Sequence, residues 1–210
     1  MSGVLYYIID TETNGLKVGH HEITQISIVR CEDKVQISRD IKIEFPERSS
    51  EDALKITNKT LDDLKKGISK EEAVEIFNSF FEEDEKTSEH RCIVAHNASF
   101  DKRHLHSMWK SVNKKFPADL WLDSKEMARS FAKKQGIIKP KLDLGSVLKM
   151  AGLNAREGAH NAIIDTQNTY FLWKKMIESN IDHLSLIKRE PHLLENNESS
   201  VEYYDPSEYM

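Results

Sequence analysis

Residues 4–16 read VLYYIIDTETNGL, an apolar and aromatic run that ends in two closely spaced acids. The run from Val4 to Ile9 is typical of a buried central strand. Residues two apart on a strand point to the same face, so Asp10 and Glu12 are expected to project together. Two neighbouring carboxylates repel each other unless a cation lies between them, and hard oxygen ligands favour Mg²⁺ or Mn²⁺. Such a pair is also common as a solvated surface feature, so the pair alone does not indicate a function.

The rest of the chain predicts an α/β fold with a mixed sheet. Strand patterns cover residues 22–30, 35–45, 91–95 and 120–122, the last as an edge strand. Helical patterns cover residues 70–81, 98–112, 124–134, 142–151 and 162–177. Three strands followed by alternating strands and helices indicate a mixed sheet with helices packed on it.

The composition bounds the class of protein. A chain of 210 residues with 39% hydrophobic content suits one compact domain. No run approaches the ~18 apolar residues of a membrane span, and the two separated cysteines indicate reduced thiols, so we expect a cytoplasmic protein. We predict one domain over 1–190 and a flexible acidic tail over 191–210. The tail has five acidic residues and no lysine or arginine.

A second acidic motif, HNASFD, directly follows the predicted strand over 91–95. Asn97 suits a helix N-cap, which places Asp101 in the first turn of the helix. An acid there is equally explained by its favourable interaction with the helix dipole. However, ligand crevices in α/β sheets lie at the carboxyl ends of strands. We therefore expect Asp101 to lie near Asp10 and Glu12.

A third motif lies near the start of the last predicted helix. Asp165 is flanked by isoleucines, and a carboxylate beside an apolar face lowers stability unless it is paired or bound to a metal. His160 precedes the helix in a looser segment, from which its ring can swing toward a ligand. Each motif is modest alone, but the three together indicate a metal site.

In order and spacing, these motifs resemble those of the DEDDh (DnaQ-like) 3′→5′ exonucleases, over residues 4–178. The matching residues are Asp10-x-Glu12, His96-Asn97-x-x-Phe100-Asp101 and His160-x-x-x-x-Asp165. The chain is more similar to the proofreading subunits of bacterial replicative polymerases than to the oligoribonucleases. The resemblance implies a ribonuclease-H-like fold, with a five-stranded mixed β-sheet flanked by α-helices.

The resemblance also implies the chemistry. Asp10, Glu12, Asp101 and Asp165 are expected to hold two divalent cations, Mg²⁺ or Mn²⁺, with His160 as the general base. Such a site removes nucleoside monophosphates from a nucleic-acid 3′ end. The terminal nucleotide would lie between two groups of residues, which are Thr11, Thr13, Asn14 and Leu16 on one side and His96, Asn97 and Phe100 on the other. For Leu16 and Phe100, packing in the core is an equal alternative.

The substrate is expected to be DNA rather than RNA, in proofreading or repair. One alternative is an RNA-trimming exoribonuclease of the same fold. Another is a module that binds nucleic-acid ends without catalysis, which is disfavoured because all five polar motif residues are present. Residues 183–187 read HLSLI and faintly resemble a peptide that docks on sliding clamps, so a polymerase or clamp partner is an open alternative. A last amphipathic turn that covers the core explains this segment equally.

Overall fold

A mixed β-sheet forms the centre of the computed structural model, which describes residues 3–156, 158 and 160–194. The strands are β1 (Leu5–Thr13), β2 (Ile23–Arg30), β3 (Gln36–Asp40), β4 (Arg91–Ala95), β5 (Leu120–Asp123) and β6 (Lys188–Arg189). They lie in the order β3-β2-β1-β4-β5-β6. β1, β4 and β5 are parallel, whereas β2, β3 and β6 run antiparallel to their neighbours. The predicted α/β class and mixed sheet are confirmed.

The predicted strand number is wrong, because the sheet has six strands rather than five. The additional strand, β6, is two residues long and pairs with β5, so β5 is not the edge strand that its sequence indicated. Two residues are too few to show an alternating pattern, and both residues of β6 are exposed. Backbone pairing alone defines this strand.

The described residues form six α-helices. They are α1 (Glu51–Thr57), α2 (Lys70–Glu82), α3 (Ala98–Ser111), α4 (Ser124–Lys134), α5 (Leu144–Met150) and α6 (Ala162–Glu178). Most begin at a side-chain oxygen that accepts a hydrogen bond from the first turn, as polar N-cap residues do. Ser69, Asp123, Asp143 and Asn161 cap α2, α4, α5 and α6 in this way.

The sheet separates two hydrophobic layers. Tyr7 and Ile9 face the layer that contains α2 and α3. Ile8, between them, faces the layer that contains α4, α5 and α6. Neighbouring side chains of a strand point to opposite faces, so a central strand with helices on both sides must be apolar at every position. This requirement explains the uninterrupted apolar run before Asp10.

Three elements meet at the carboxyl end of β1. β4 runs parallel to β1, and α3 begins shortly after β4 ends. On the other side, the Gln25 side chain in β2 accepts a hydrogen bond from the Ala162 backbone N–H at 2.9 Å. This bond holds the first turn of α6 against the sheet. The ends of β1, α3 and α6 therefore surround one pocket.

The described chain ends against the core. His192 is 4% exposed, and its Nδ1 accepts a hydrogen bond from the Phe116 backbone N–H at 2.9 Å. Residues 195–210, most of the predicted acidic tail, lie outside the described residues. Within residues 3–156, 158 and 160–194, no helix combines the length and apolar character that a bilayer crossing needs.

Candidate active site

Three carboxylates converge at the carboxyl end of β1. Asp10 and Glu12 alternate with the buried Thr11, so both project on the side of the sheet that carries α6. Asp165 lies in the first turn of α6. One carboxylate oxygen from each of the three residues lies within 4.8 Å of the others. This spacing brings three hard oxygen ligands within reach of one cation.

Asp101 reaches the pocket from the opposite helical layer. It lies in the first turn of α3 and is 3% exposed. Its Oδ1 accepts two hydrogen bonds from Thr11, from the backbone N–H at 3.0 Å and from the hydroxyl at 2.8 Å. Thr11 was predicted to contact the nucleotide, and in the structure its hydroxyl contacts Asp101. The fourth acid is thus fixed to the same strand as the first two.

The ionised form of this cluster is disfavoured unless a positive charge compensates it. Burial, followed by repulsion from Asp101, Glu12 and Asp165, raises the pKa of Asp10 well above its usual range. Burial is also the largest effect on Glu12, whose pKa rises to about 7 although Lys59 opposes the change. Burial likewise raises the pKa of Asp101 to about 7 and raises the pKa of Asp165. The residues fit a divalent cation, which would neutralise this repulsion and accept an all-carboxylate ligand set.

His160 lies beside Asp165 at the amino end of α6. Its backbone N–H donates a hydrogen bond to Asp165 Oδ2 at 3.0 Å, while the residue as a whole is exposed. Its φ of 64° is in the left-handed region, which histidine enters more readily than most residues. The backbone is therefore anchored to the cluster, whereas the imidazole remains accessible from solvent.

The loop after β1 uses most of its polar side chains internally. The Thr13 hydroxyl donates to the Gly15 carbonyl at 2.7 Å. Asn14 is 2% exposed, and its Oδ1 accepts from the Glu22 backbone N–H at 2.6 Å. Leu16, in contrast, is 80% exposed and does not pack in the core. Of these residues, Leu16 has the side chain that is open to a ligand.

His96 joins three elements on the opposite side. One ring nitrogen contacts the Ser124 hydroxyl and the other the Leu142 carbonyl, both at 2.8 Å. Burial is the main cause of the lowered pKa of this imidazole. Both nitrogens are thus engaged in holding the start of α4 and the approach to α5 near the end of β4.

Asn97 and Phe100 flank the start of α3. Asn97 has a φ of 83° and forms no side-chain capping bond within the described part of the chain. Its backbone N–H donates instead to Asp123 Oδ1 at 3.1 Å, and its side chain is exposed. Phe100 is partly buried, with its ring centroid 4.4 Å from that of His104. The helix begins where expected, although by a backbone turn rather than a side-chain cap.

Three residues that support the site were not predicted from the sequence. Lys59 lowers the pKa of Glu12, and nothing in the chain relates these two distant positions. Gln25 lies opposite Glu12 in the β1–β2 register, so a correct hairpin alignment would have found it. Asn168 lowers the pKa of Asp165, and its spacing of three residues along α6 was the available signal.

Comparison with known proteins agrees with this arrangement. The RNase_T family, described as exonuclease, matches residues 7–172. No curated protein sequence matches the chain significantly. The nuclease domain of 3′hExo, a DEDDh family member bound to rAMP, superposes with a TM-score of 0.70 at 14% identity, covering 90% of this chain and 98% of that one. This similarity confirms the predicted ribonuclease-H-like fold.

Larger nucleases contain the same fold. E. coli Exonuclease I in complex with a dT13 oligonucleotide gives a TM-score of 0.67 at 18% identity, covering 87% of this chain. The chain spans only 42% of that protein. The cell-death related nuclease CRN-4 gives a TM-score of 0.70 at 14% identity, and the match covers 83% of this chain and 64% of CRN-4. Another structure of E. coli Exonuclease I contains a zinc ion. Since the family model spans most of the chain, the protein belongs to the RNase_T exonuclease family.

Proposed function

We propose that the protein hydrolyses the last phosphodiester bond of a nucleic-acid strand and releases nucleoside monophosphates from the 3′ end. The observation that carries the proposal is the convergence of Asp10, Glu12 and Asp165, whose oxygens lie within 4.8 Å of one another. Together with Asp101, these residues would hold two divalent cations. When bound, such cations activate the attacking water and stabilise the leaving 3′ oxygen.

His160 is proposed to accept the proton of the attacking water at an imidazole nitrogen. An imidazole suits this role near neutral pH, and general-base catalysis typically contributes ~10²–10⁴-fold to a rate. Two features support the assignment, namely the bond that ties the His160 backbone to Asp165 and the exposure of this residue. The main chain is fixed beside the cluster, and the ring is free to approach a bound strand.

The terminal nucleotide is proposed to lie between Leu16 and the start of α3. Leu16 offers an exposed apolar surface to the base, and Asn97 offers an exposed amide. Phe100 offers the edge of a partly buried ring. The predicted roles of Thr11, Thr13, Asn14 and His96 become indirect in this proposal, since their polar atoms position the site.

DNA is proposed as the preferred substrate, in proofreading or repair. Support comes from the resemblance to proofreading exonucleases and from the DNA-bound E. coli Exonuclease I among the similar structures. RNA trimming is the second candidate, which the rAMP-bound nuclease domain favours. The two differ in contacts to the 2′-hydroxyl.

We do not extend the proposal to a polymerase or sliding-clamp partner. Leu186 and Ile187 of the clamp-like segment pack against the core layer of α4–α6. His183 is engaged with the Tyr6 hydroxyl, 3.2 Å from its Nε2. Docking on a clamp would remove these residues from the core. The cytoplasmic location stays a prediction, which cell fractionation tests.

The decisive experiment supplies matched DNA and RNA single strands, labelled at the 3′ end, with Mg²⁺ or Mn²⁺. We expect labelled mononucleotides from the first cleavage, faster release from DNA, and no release in EDTA. Asp165→Asn is expected to abolish the reaction, whereas Asp62→Asn, at an exposed carboxylate, is expected to leave the rate unchanged. His160→Ala is expected to slow cleavage by ~10²–10⁴-fold while metal binding persists.

Two outcomes would contradict the proposal. If the protein binds 3′ ends but leaves both polymers intact in the presence of metal, it is an end-binding module. If His160→Ala cleaves at the wild-type rate, the general base is a different group.

A further inference from the structure

A second cavity lies on the flank of α6, outside the carboxylate pocket. Its volume is about 280 Å³, and it opens between α6, the β2–β3 hairpin and the segment that precedes His160. Lys34, Arg156 and Lys174 line it, and none of the described residues in its lining is acidic. A concave surface with three cationic side chains attracts anions.

The two lysines are available to a ligand, whereas Arg156 contacts the uncharged side chains of Gln167 and Phe171 in the cavity. Neither Lys34 nor Arg156 has a carboxylate partner within 4.0 Å among the described residues. Lys174 makes a long contact of 3.9 Å with Glu178, and more than half of each of these side chains is exposed. Exposed pairs of this kind contribute little, so a ligand phosphate can replace the contact.

The same cavity offers groups that suit a nucleobase. Tyr170 and Phe171 lie one residue apart on α6, with ring centroids 5.5 Å apart, and Phe171 is 41% exposed. The amides of Gln36 and Gln167 meet in a hydrogen bond of 2.6 Å between Gln167 Nε2 and Gln36 Oε1. Aromatic faces stack on bases, whereas both amides are already hydrogen-bonded within the protein.

We propose that this cavity is a second nucleotide site, which binds one phosphorylated nucleoside outside the catalytic pocket. The phosphate would lie among Lys34, Arg156 and Lys174, with the base against Phe171. The nucleotide is either a free monophosphate or one unit of a bound strand, because the two share this chemistry. The site rests on its own lining and does not require the proposed hydrolysis.

The cavity is connected to the catalytic residues through Arg156. The Arg156 backbone N–H donates to Asn168 Oδ1 at 3.0 Å, and the Asn168 side chain lowers the pKa of the Asp165 carboxyl. The Arg156 guanidinium donates to Gln167 Oε1 at 2.5 Å and lies 5.0 Å from the centroid of the Phe171 ring. A phosphate that draws this guanidinium therefore acts on α6, which carries Asp165, and occupancy is expected to change the cleavage rate.

The test titrates AMP into the metal-free protein in EDTA, followed by chemical-shift changes or calorimetry. We expect one saturable site, with adenosine alone and inorganic phosphate alone at least tenfold weaker. The double variant Lys34→Glu, Lys174→Glu is expected to weaken AMP binding at least tenfold. Lys149→Glu makes the charge change of either single substitution on α5, away from the cavity, and is expected to bind AMP normally.

A single-stranded oligonucleotide distinguishes the two sources of the nucleotide. If a strand unit fills the cavity, the double variant also binds the oligonucleotide more weakly, and AMP competes with it. If a free monophosphate fills it, oligonucleotide affinity is unchanged and AMP alters the cleavage rate. Phe171→Ala, at an exposed position, should weaken AMP binding without loss of charge, which separates base stacking from simple attraction between charges.

The proposal fails if AMP does not saturate the metal-free protein, or if the double variant and Phe171→Ala bind AMP like the wild type. Such a result leaves the hydrolysis proposal untouched, because binding is measured without metal or turnover. Conversely, an inactive protein that binds AMP in this cavity would refute the hydrolysis proposal alone. Thermal unfolding of each variant checks that it is folded.

Discussion

At the scale of single residues, Thr11 joins the two halves of the metal pocket. Asp10 and Glu12 face the α6 layer, whereas Thr11 between them faces α3 and donates two hydrogen bonds to Asp101 Oδ1. Hydrogen bonds to a carboxylate favour its ionised form. They oppose the effect of burial, which raises the pKa of Asp101 to about 7. Thr11 thus helps to keep Asp101, a proposed metal ligand, charged.

We predict that Thr11→Val weakens metal binding without unfolding the protein. Valine keeps the shape and strand preference of threonine but removes the hydroxyl that lies 2.8 Å from Asp101. Hydrogen bonds to charged groups are worth ~1.5–3 kcal/mol, so the Mg²⁺ concentration for half-maximal cleavage should rise by about tenfold or more.

The matched control is Thr24→Val. Thr24 is also buried, on the neighbouring strand, but its hydroxyl has no hydrogen-bond partner among the described residues. It should show the wild-type Mg²⁺ dependence. Equal Mg²⁺ dependence in Thr11→Val and the wild type would mean that the hydroxyl does not support Asp101.

The sequence indicated which residues approach the pocket better than what each of them contacts. Strand periodicity paired Asp10 with Glu12, and helix position placed Asp101 in a first turn, because both relations are local. The polar atoms of Asn14 and His96 are satisfied by Glu22 and Leu142, far along the chain or across a loop. Such partners depend on the tertiary fold, so motif spacing alone could not distinguish a supporting residue from a contact with substrate.

At the scale of elements, the missed ones are those without a burial pattern. α1 is seven residues long and has no buried residue, so it shows no apolar stripe, although Ser50 caps it as a helix N-cap should. β6 is defined by pairing with β5. Long helices with a buried face, such as α4 and α6, were predicted almost to their ends. An element is predictable from the sequence when one of its faces is buried, because burial produces a periodic apolar pattern.

A stacked histidine pair fastens the C-terminal segment to α3. The rings of His106 and His192 lie 4.4 Å apart and only 16° from parallel. Burial, followed by repulsion from His192 and Lys102, lowers the pKa of His106 to about 3. Burial also lowers the pKa of His192, to which Lys110 and Lys115 contribute. The segment is therefore docked with both rings neutral.

We predict that acid loosens this docking. Because the pKa of His106 is lower in the docked state than its ordinary value of 6.5, the undocked state binds more protons between pH 6.5 and 3. Docking is strongest above pH 6.5. As the pH falls, the equilibrium constant for docking decreases by up to about tenfold per pH unit for one such group. Amide protection factors of residues 188–194, measured from pH 7.5 to 5, report this change.

His106→Phe provides the control. Phenylalanine keeps the stacked ring and removes a titrating group whose Nε2 has no partner among the described residues. The amide protection factors of this variant should decrease less steeply than those of the wild type as the pH falls. An identical pH dependence in both proteins would assign the acid sensitivity to other groups.

At the scale of the whole molecule, the metal pocket is where the two core layers and the sheet meet. The packing of the two core layers brings acids from β1, α3 and α6 together at this pocket. The mutual repulsion of these acids opposes folding. Without metal, folding must bring like charges together in a buried place. With metal, the same charges become ligands, and binding to the folded state alone adds to global stability.

We predict that Asp10→Asn and the wild type exchange their order of stability when metal is added. In EDTA near pH 8, the variant should unfold at a higher temperature, because it lacks one of the charges whose repulsion and burial raise the pKa of Asp10. With Mg²⁺ at about 100 times its dissociation constant, the wild type should gain ~2.7 kcal/mol. For a chain of this size, that gain corresponds to a rise in Tm of roughly 5–10 °C.

The variant should gain much less stability, because it lacks one ligand. The order of the two Tm values is therefore expected to reverse when Mg²⁺ is added. Asp62→Asn, at a fully exposed acid, should follow the wild type in both conditions. The crossing separates the two effects of Asp10, as a repelling charge in the metal-free fold and as a ligand in the bound one. A variant that is less stable than the wild type in both EDTA and Mg²⁺ would mean that Asp10 supports the fold independently of metal, and the repulsion inferred from its raised pKa would be refuted.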